Sequence, residues 1–230
     1  MERRGFIKAC AASVAALGAA GLAADVRAQF YPKAKLVDAN GAPLRAAAIP
    51  ANRNLIFHYP FTATPCFLLN LAKEVRPVQL KTASGEPYDW RGGVGAARSV
   101  VAYSAICAHK LSYPTRDISF ISFRTEKSAR NRIANVIHCC SEHSQYDPAE
   151  GARVVAGPAP QPLAAILLEW DPDKDEIHAI GTAGGEMFGE FFDKYAFRLT
   201  LEHGNGARAA VSGSCVVQEL ENYCRQQVKC

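Results

Sequence analysis

The sequence holds little that would commit it to a polymer, a bilayer or a fibre. Its 26 basic residues nearly balance 22 acidic ones, and the net charge of +4 comes without a basic run, which argues against a nucleic-acid partner. Hydrophobic residues at 49% and charged residues at 21% exclude a disordered chain, a collagen and a coiled coil. No internal repeat and no long central amphipathic helix can be found. The uncharged Ala/Gly-rich run at residues 9–24 falls short of the roughly 18–20 apolar residues that cross a bilayer, and a multi-span membrane protein is excluded. Cysteine, by contrast, is plentiful. The eight are Cys10, Cys66, Cys107, Cys139, Cys140, Cys215, Cys224 and Cys230, too uneven in spacing for a small disulfide scaffold. Each needs its own explanation.

The first 28 residues read as a targeting segment. Arg3-Arg4-Gly5-Phe6-Ile7-Lys8 precedes the uncharged run, and a small-residue cleavage site follows at Val26-Arg27-Ala28. The segment resembles a twin-arginine export signal, a route that carries folded proteins. Cleavage is the expectation, with a retained inner-membrane anchor as the alternative. Four basic and two acidic residues leave with the segment, so a charge of +4 becomes +2. Cys10 leaves too, and the others enter a compartment where disulfides persist.

Residues 29–53 are Pro/Ala-rich and weakly patterned, an extended lead-in. Strand-like runs follow at 54–59, 66–71, 99–103, 136–138, 164–170, 177–180 and 197–201, separated by Gly, Pro and Asp turn signals. Short strands with frequent turns predict an all-β antiparallel sandwich over 54–202. A short helix is expected within 214–227, inside a Cys-containing extension at 203–230. The stretch from about 103 to 161 is rich in Cys, His, Gly and Pro, as a metal-binding subdomain inserted into a β domain would be.

Within that stretch Cys107-Ala108-His109 and Cys140-Ser141-Glu142-His143 form a C-x-H and a C-x-x-H pair. Two thiolates and two imidazoles suit tetrahedral zinc. They equally suit a two-iron cluster with both Cys on one iron and both His on the other. Spacing alone leaves the choice open.

Three loops taken together resemble the Rieske iron–sulfur family. Residues 107–114 look like its C-x-H-x-G-x-x-P loop, and residues 140–147 look like its C-x-x-H loop followed by Ser, an aromatic and Asp. Residues 151–160, with Gly157 and Pro158, look like the loop that covers the cluster. The resemblance implies one [2Fe-2S] cluster per chain, ligated by Cys107, His109, Cys140 and His143. It implies hydrogen bonds from Ser144 and Tyr146 toward sulfur. It also implies one-electron transfer at roughly −150 to +300 mV, because neutral imidazoles replace anionic thiolates. Within the family, the exported branches come nearest. One is the arsenite oxidase small subunit, partner of a molybdenum-containing catalytic subunit; Gly92-Gly93-Val94-Gly95 points there. The other is the anchored Rieske subunit of quinol:cytochrome c oxidoreductases. The expected function is a periplasmic electron-transfer subunit, passing electrons from a catalytic partner to a cytochrome c or similar acceptor. A zinc-bound structural module remains the remote alternative.

The sequence departs from that pattern in specific places. Ser112 and Glu142 occupy the positions of the usual loop-to-loop disulfide. The loop after His143 is one residue short. Cys139 and Cys140 are adjacent, which makes Cys139 a rival ligand; Cys140 keeps the C-x-x-H spacing and is preferred, and Cys139 is then a buried thiol or a disulfide partner. A basic excursion with Arg116, Arg124, Lys127, Arg130 and Arg132 lies between the loops, either a solvated surface or a docking face for an acidic redox partner. In the tail, a Cys215–Cys224 or Cys215–Cys230 bridge is expected. Cys66 reads as a core thiol, and His58, His138, His178 and His203 as structural or surface residues.

Overall fold

The computed structural model describes residues 28–128, 130 and 132–230, so the segment read as a targeting signal lies, but for Ala28, outside the described residues. Among the described residues no helix is long and apolar enough to cross a membrane. The chain is mostly β. Strands β1 (Ala28–Val37), β2 (Leu55–His58), β3 (Pro65–Asn70), the hairpin β4 (Val78–Lys81) and β5 (Pro87–Trp90), and β6 (Val100–Ser104) come first. The inserted part holds β7 (Ile118–Ser119), β8 (Ile121–Arg124), β9 (Val136–Cys139), β10 (Ser144–Asp147) and β11 (Arg153–Ala156). After β12 (Ala165–Asp171) and β13 (Glu176–Ala183) come helices α1 (Phe188–Lys194) and α2 (Ala196–His203). The tail is built from β14 (Gly213–Val216), β15 (Gln218–Glu219), α3 (Leu220–Tyr223) and β16 (Gln226–Gln227).

The large sheet runs β14-β1-β13-β12-β6-β3-β2-β15. All its pairings are antiparallel except β1 with β14. Its two edge strands, β14 and β15, are joined through Val217 alone, whose N–H donates to Val37 O at 2.8 Å. The sheet therefore curls until the tail links its ends. Residues 203–230, read from sequence as an extension, supply those closing strands. Residues 29–53, read as a lead-in, supply β1, an interior strand whose apolar positions Ala34 and Leu36 are fully buried.

Side chains alternate across the sheet, so each strand feeds two cores. Ile56, Phe67, Leu69, Val101 and Tyr103 face one core, shared with Trp90, Ile121, Phe123, Ile137 and Tyr146. Leu55, Phe57, Cys66, Leu68, Val100 and Ala102 face the other, with Leu36, Ile49, Cys215 and Val217. Burial on both faces explains why these strands read as continuous apolar runs. The first core matters for function, since it seats the small sheet β11-β10-β9-β8 on the large one.

The expected strand at 197–201 is instead part of α2. Phe197, Leu199 and Leu201 alternate like a strand, yet only Leu199 is buried. The helical periodicity sits just upstream, where Phe188, Phe191 and Phe192 turn inward at i, i+3 and i+4. Phe191 and Tyr195 pack edge-on against Tyr113, which fixes the helices to the first Cys/His loop. The helix expected within 214–227 is reduced to α3, with strands on either side.

Candidate metal centre

The first loop leaves β6 and folds tightly on itself. Cys107 N–H donates to Ser112 O at 2.8 Å, and Leu111 N–H returns to Cys107 O at 2.9 Å. The Cys107 thiol is fully buried, His109 is half-buried and Lys110 is exposed. The second loop is a β9–β10 hairpin in which Cys139 pairs with Ser144, so residues 140–143 form its tip. His143 adopts φ 60°, the left-handed conformation that turns the chain back into β10. The third loop passes directly beneath. Gly157 has φ 85°, and a Cβ there would stand 2.5 Å from His143 O and 2.6 Å from Ser144 Cα. Only glycine permits that approach. Pro158 follows on the exposed side.

The loops converge on Tyr146, whose side chain is fully buried. Ala108 N–H donates to its hydroxyl oxygen at 3.1 Å, which leaves the hydroxyl proton free for Cys107 Sγ at 3.2 Å. Cys107 and Cys139 are both fully buried in the same core. The Cys107 pKa is pushed down, first by Cys139 and against the effect of burial, then by Tyr146 and the backbone amides of His109 and Lys110. The Cys139 thiol is pushed up, first by Cys107 and then by burial. Tyr146 is raised by burial and by Cys107, so it stays protonated and remains a donor. The two thiols are thus shifted in opposite directions, Cys107 toward the thiolate and Cys139 away from it.

The same two loops carry unmatched polar atoms. His109 Nδ1, His143 Nδ1 and Ser144 Oγ are all buried without a hydrogen-bond partner. Each such atom ordinarily costs about 1–3 kcal/mol. Three of them on two adjoining loops mark a place where something outside the chain completes the bonding. The donor set fits a mixed thiolate–imidazole centre: two buried sulfurs, two buried and partnerless ring nitrogens, and the hydroxyls of Ser144 and Tyr146.

Among the sequence-predicted residues, Cys107 touches Tyr146, His109 shares the Cys107 loop, His143 and Ser144 share the hairpin of Tyr146, and Gly157 packs under that hairpin. Cys140 does not join them. Its sulfur is bonded to Cys230, with Cα atoms 5.7 Å apart. Sulfur in a disulfide has no thiolate to offer, and the thiol beside Cys107 belongs to Cys139. A spacing signal was available: the loop that is one residue short when counted from Cys140 gains that residue when counted from Cys139. The bridges expected from Cys215 are absent. Cys215 is buried in the second core and Cys224 in the first, both as free thiols, and Cys66 is a buried thiol as expected. His138, Cys140 and Cys230 place their donor atoms within 4.8 Å of one another, but the two sulfurs are spent on each other. His138 is neutral, with its pKa lowered to about 4 by burial, then by His143 and Arg124.

Fold and loops together give a mostly β protein in which two Cys/His loops meet at Tyr146. No family model matches the sequence. Among solved structures the chain is similar to the soluble domain of the Rieske protein II (soxF) from Sulfolobus acidocaldarius. The identity is 24%, the match covers 68% of this chain and 82% of that one, and the TM-score is 0.48.

Proposed function

We propose that this chain is a Rieske-type electron-transfer protein whose [2Fe-2S] cluster is held by Cys107, Cys139, His109 and His143. The observation that carries the reading is the convergence of the Cys107–Cys139 pair with two buried, partnerless imidazole Nδ1 atoms. When bound, such a cluster supplies reversible one-electron chemistry in a range of roughly −150 to +300 mV. The chain's own residues tune it. Tyr146 donates to Cys107 and is held in place by Ala108 N–H. Ser144 offers a second buried hydroxyl. The core around Tyr146 keeps water from the sulfurs, while half-buried His109 and His143 bring their rings to the surface where an electron can leave.

The resemblance at residues 1–28 supports export by the twin-arginine route to the periplasm. Lys110 and Arg130 beside the two histidines support docking to an acidic redox partner; Arg130 reaches His143 Nε2 at 3.3 Å. The partner we favour is a catalytic subunit, of the molybdenum-containing kind, with a cytochrome c as acceptor.

Iron and sulfide analysis with electron paramagnetic resonance of the dithionite-reduced protein tests the centre. The expected result is two irons, two sulfides and one unpaired electron per chain. A colourless, diamagnetic protein carrying zinc overturns it. Mass spectrometry of the mature amino terminus tests export.

A further inference from the structure

The end of β9 carries two adjacent thiol-bearing residues, each able to serve one ligand position. Cys139 points inward to Cys107 and is fully buried; Cys140, its neighbour, points to the opposite side and is half-buried. Cys140 also stands three residues before His143, the spacing such a ligand pair uses. Free, it would compete.

Residues 226–230 are tied down beside it. β16 pairs with β7, and Val228 N–H donates to Ser119 O at 2.9 Å. Arg124 clasps Val228 O, and Ser128 Oγ donates to Cys230 O at 2.6 Å. These contacts deliver Cys230 to Cys140 across a sequence separation of 90. The other free cysteines outside the centre, Cys66, Cys215 and Cys224, stay buried and unbridged. The bridge therefore involves the one thiol that could displace Cys139.

We propose that Cys230 is a positioning residue that caps Cys140 and so holds the centre on Cys139. The inference rests on the functional reading above. The bond forms as the Cys140 and Cys230 thiols give two electrons and two protons to a protein disulfide, which becomes a dithiol. Once formed, it leaves Cys140 without a free thiol to offer, and Cys139 is the remaining thiol at the end of β9.

The test compares full-length wild type with Cys230→Ser and with the double variant Cys140→Ser/Cys230→Ser. The readouts are paramagnetic resonance of the reduced protein and mass spectrometry after alkylation without reductant. Wild type should give one signal, with Cys140 and Cys230 unalkylated. Cys230→Ser should add a second signal from the Cys140-ligated population. The double variant should return to the single wild-type signal. If Cys230→Ser keeps the wild-type spectrum while Cys140 alkylates, or if both variants lose the cluster alike, the bridge is only a staple and the proposal is overturned. Loss of the cluster in the double variant alone makes Cys140 the ligand and likewise overturns it. Wild type without iron instead refutes the functional reading.

Discussion

The Tyr146 hydroxyl stands 3.2 Å from Cys107 Sγ while accepting Ala108 N–H at 3.1 Å, so its one proton is directed at the sulfur. Both contacts come from a side chain on β10 reaching into a loop that follows β6. They join the second loop to the first without a covalent bond, at the place where Ser112 and Glu142 leave none.

Tyr146→Phe keeps the ring in its core and removes only this donor. A hydrogen bond to sulfur stabilises the reduced, more negative centre more than the oxidised one. Its loss should lower the reduction potential by about 50 mV, since 59 mV corresponds to tenfold for one electron. Iron content should be unchanged. Redox titration followed by circular dichroism checks this, and an unaltered potential would remove Tyr146 from the tuning role.

Gly157→Ala tests the close approach under the second loop. The new Cβ would meet His143 O at 2.5 Å in a residue held at φ 85°. Backbone rather than a flexible side chain blocks it, so the loops must part. We expect a loss of more than about 1 kcal/mol in stability from the conformation alone. The cluster should also be lost faster on exposure to chelator. Wild-type retention kinetics would show that the third loop does not support the second.

The two Cys/His loops were legible in sequence because each is local, with ligand types and turn residues within a few positions. The choice between Cys139 and Cys140 was legible only as the one-residue shortfall after His143. The structure adds that Cys139 is buried in the core with Cys107 and that Cys140 is bonded to Cys230, 90 residues away. Chain closure was hidden for a similar reason. β1 shows a weak inward pattern because only its second half turns fully into the core, and β14 and β15 are too short to show alternation. α2 was misread because Phe197 and Leu201 are apolar yet exposed, which mimics a half-buried strand.

Asn54 joins the two sheets. Its amide nitrogen donates to Phe123 O at 3.0 Å, and its amide oxygen accepts Phe123 N–H at 2.7 Å. The side chain thus imitates a neighbouring strand along β8, the edge of the small sheet. Asn54→Ala leaves a donor and an acceptor unmatched, at a cost of about 2–4 kcal/mol. Chemical denaturation should register that loss, and hydrogen exchange should accelerate first in β8. Exchange rising uniformly over the chain would argue against a local clamp.

Acid sensitivity should centre partly on His58. Its pKa is lowered to about 4, first by burial, then by His203 and Arg116; its Nε2 lies 3.4 Å from the Tyr223 hydroxyl. An unfolded histidine titrates near 6.5. Above that pH both states are neutral, and the folded state keeps its full advantage. As pH falls from 6.5 toward 4, the unfolded chain takes up a proton that the folded one refuses, so stability declines. The contribution is about 2–3 kcal/mol at 1.36 kcal/mol per pH unit. His58→Phe should flatten the fall in unfolding free energy between pH 7 and 4.5 by that amount. His138, held neutral in the same way, leaves a residual slope. Urea unfolding at both pH values measures it; an unchanged slope would mean that His58 is protonated in the fold.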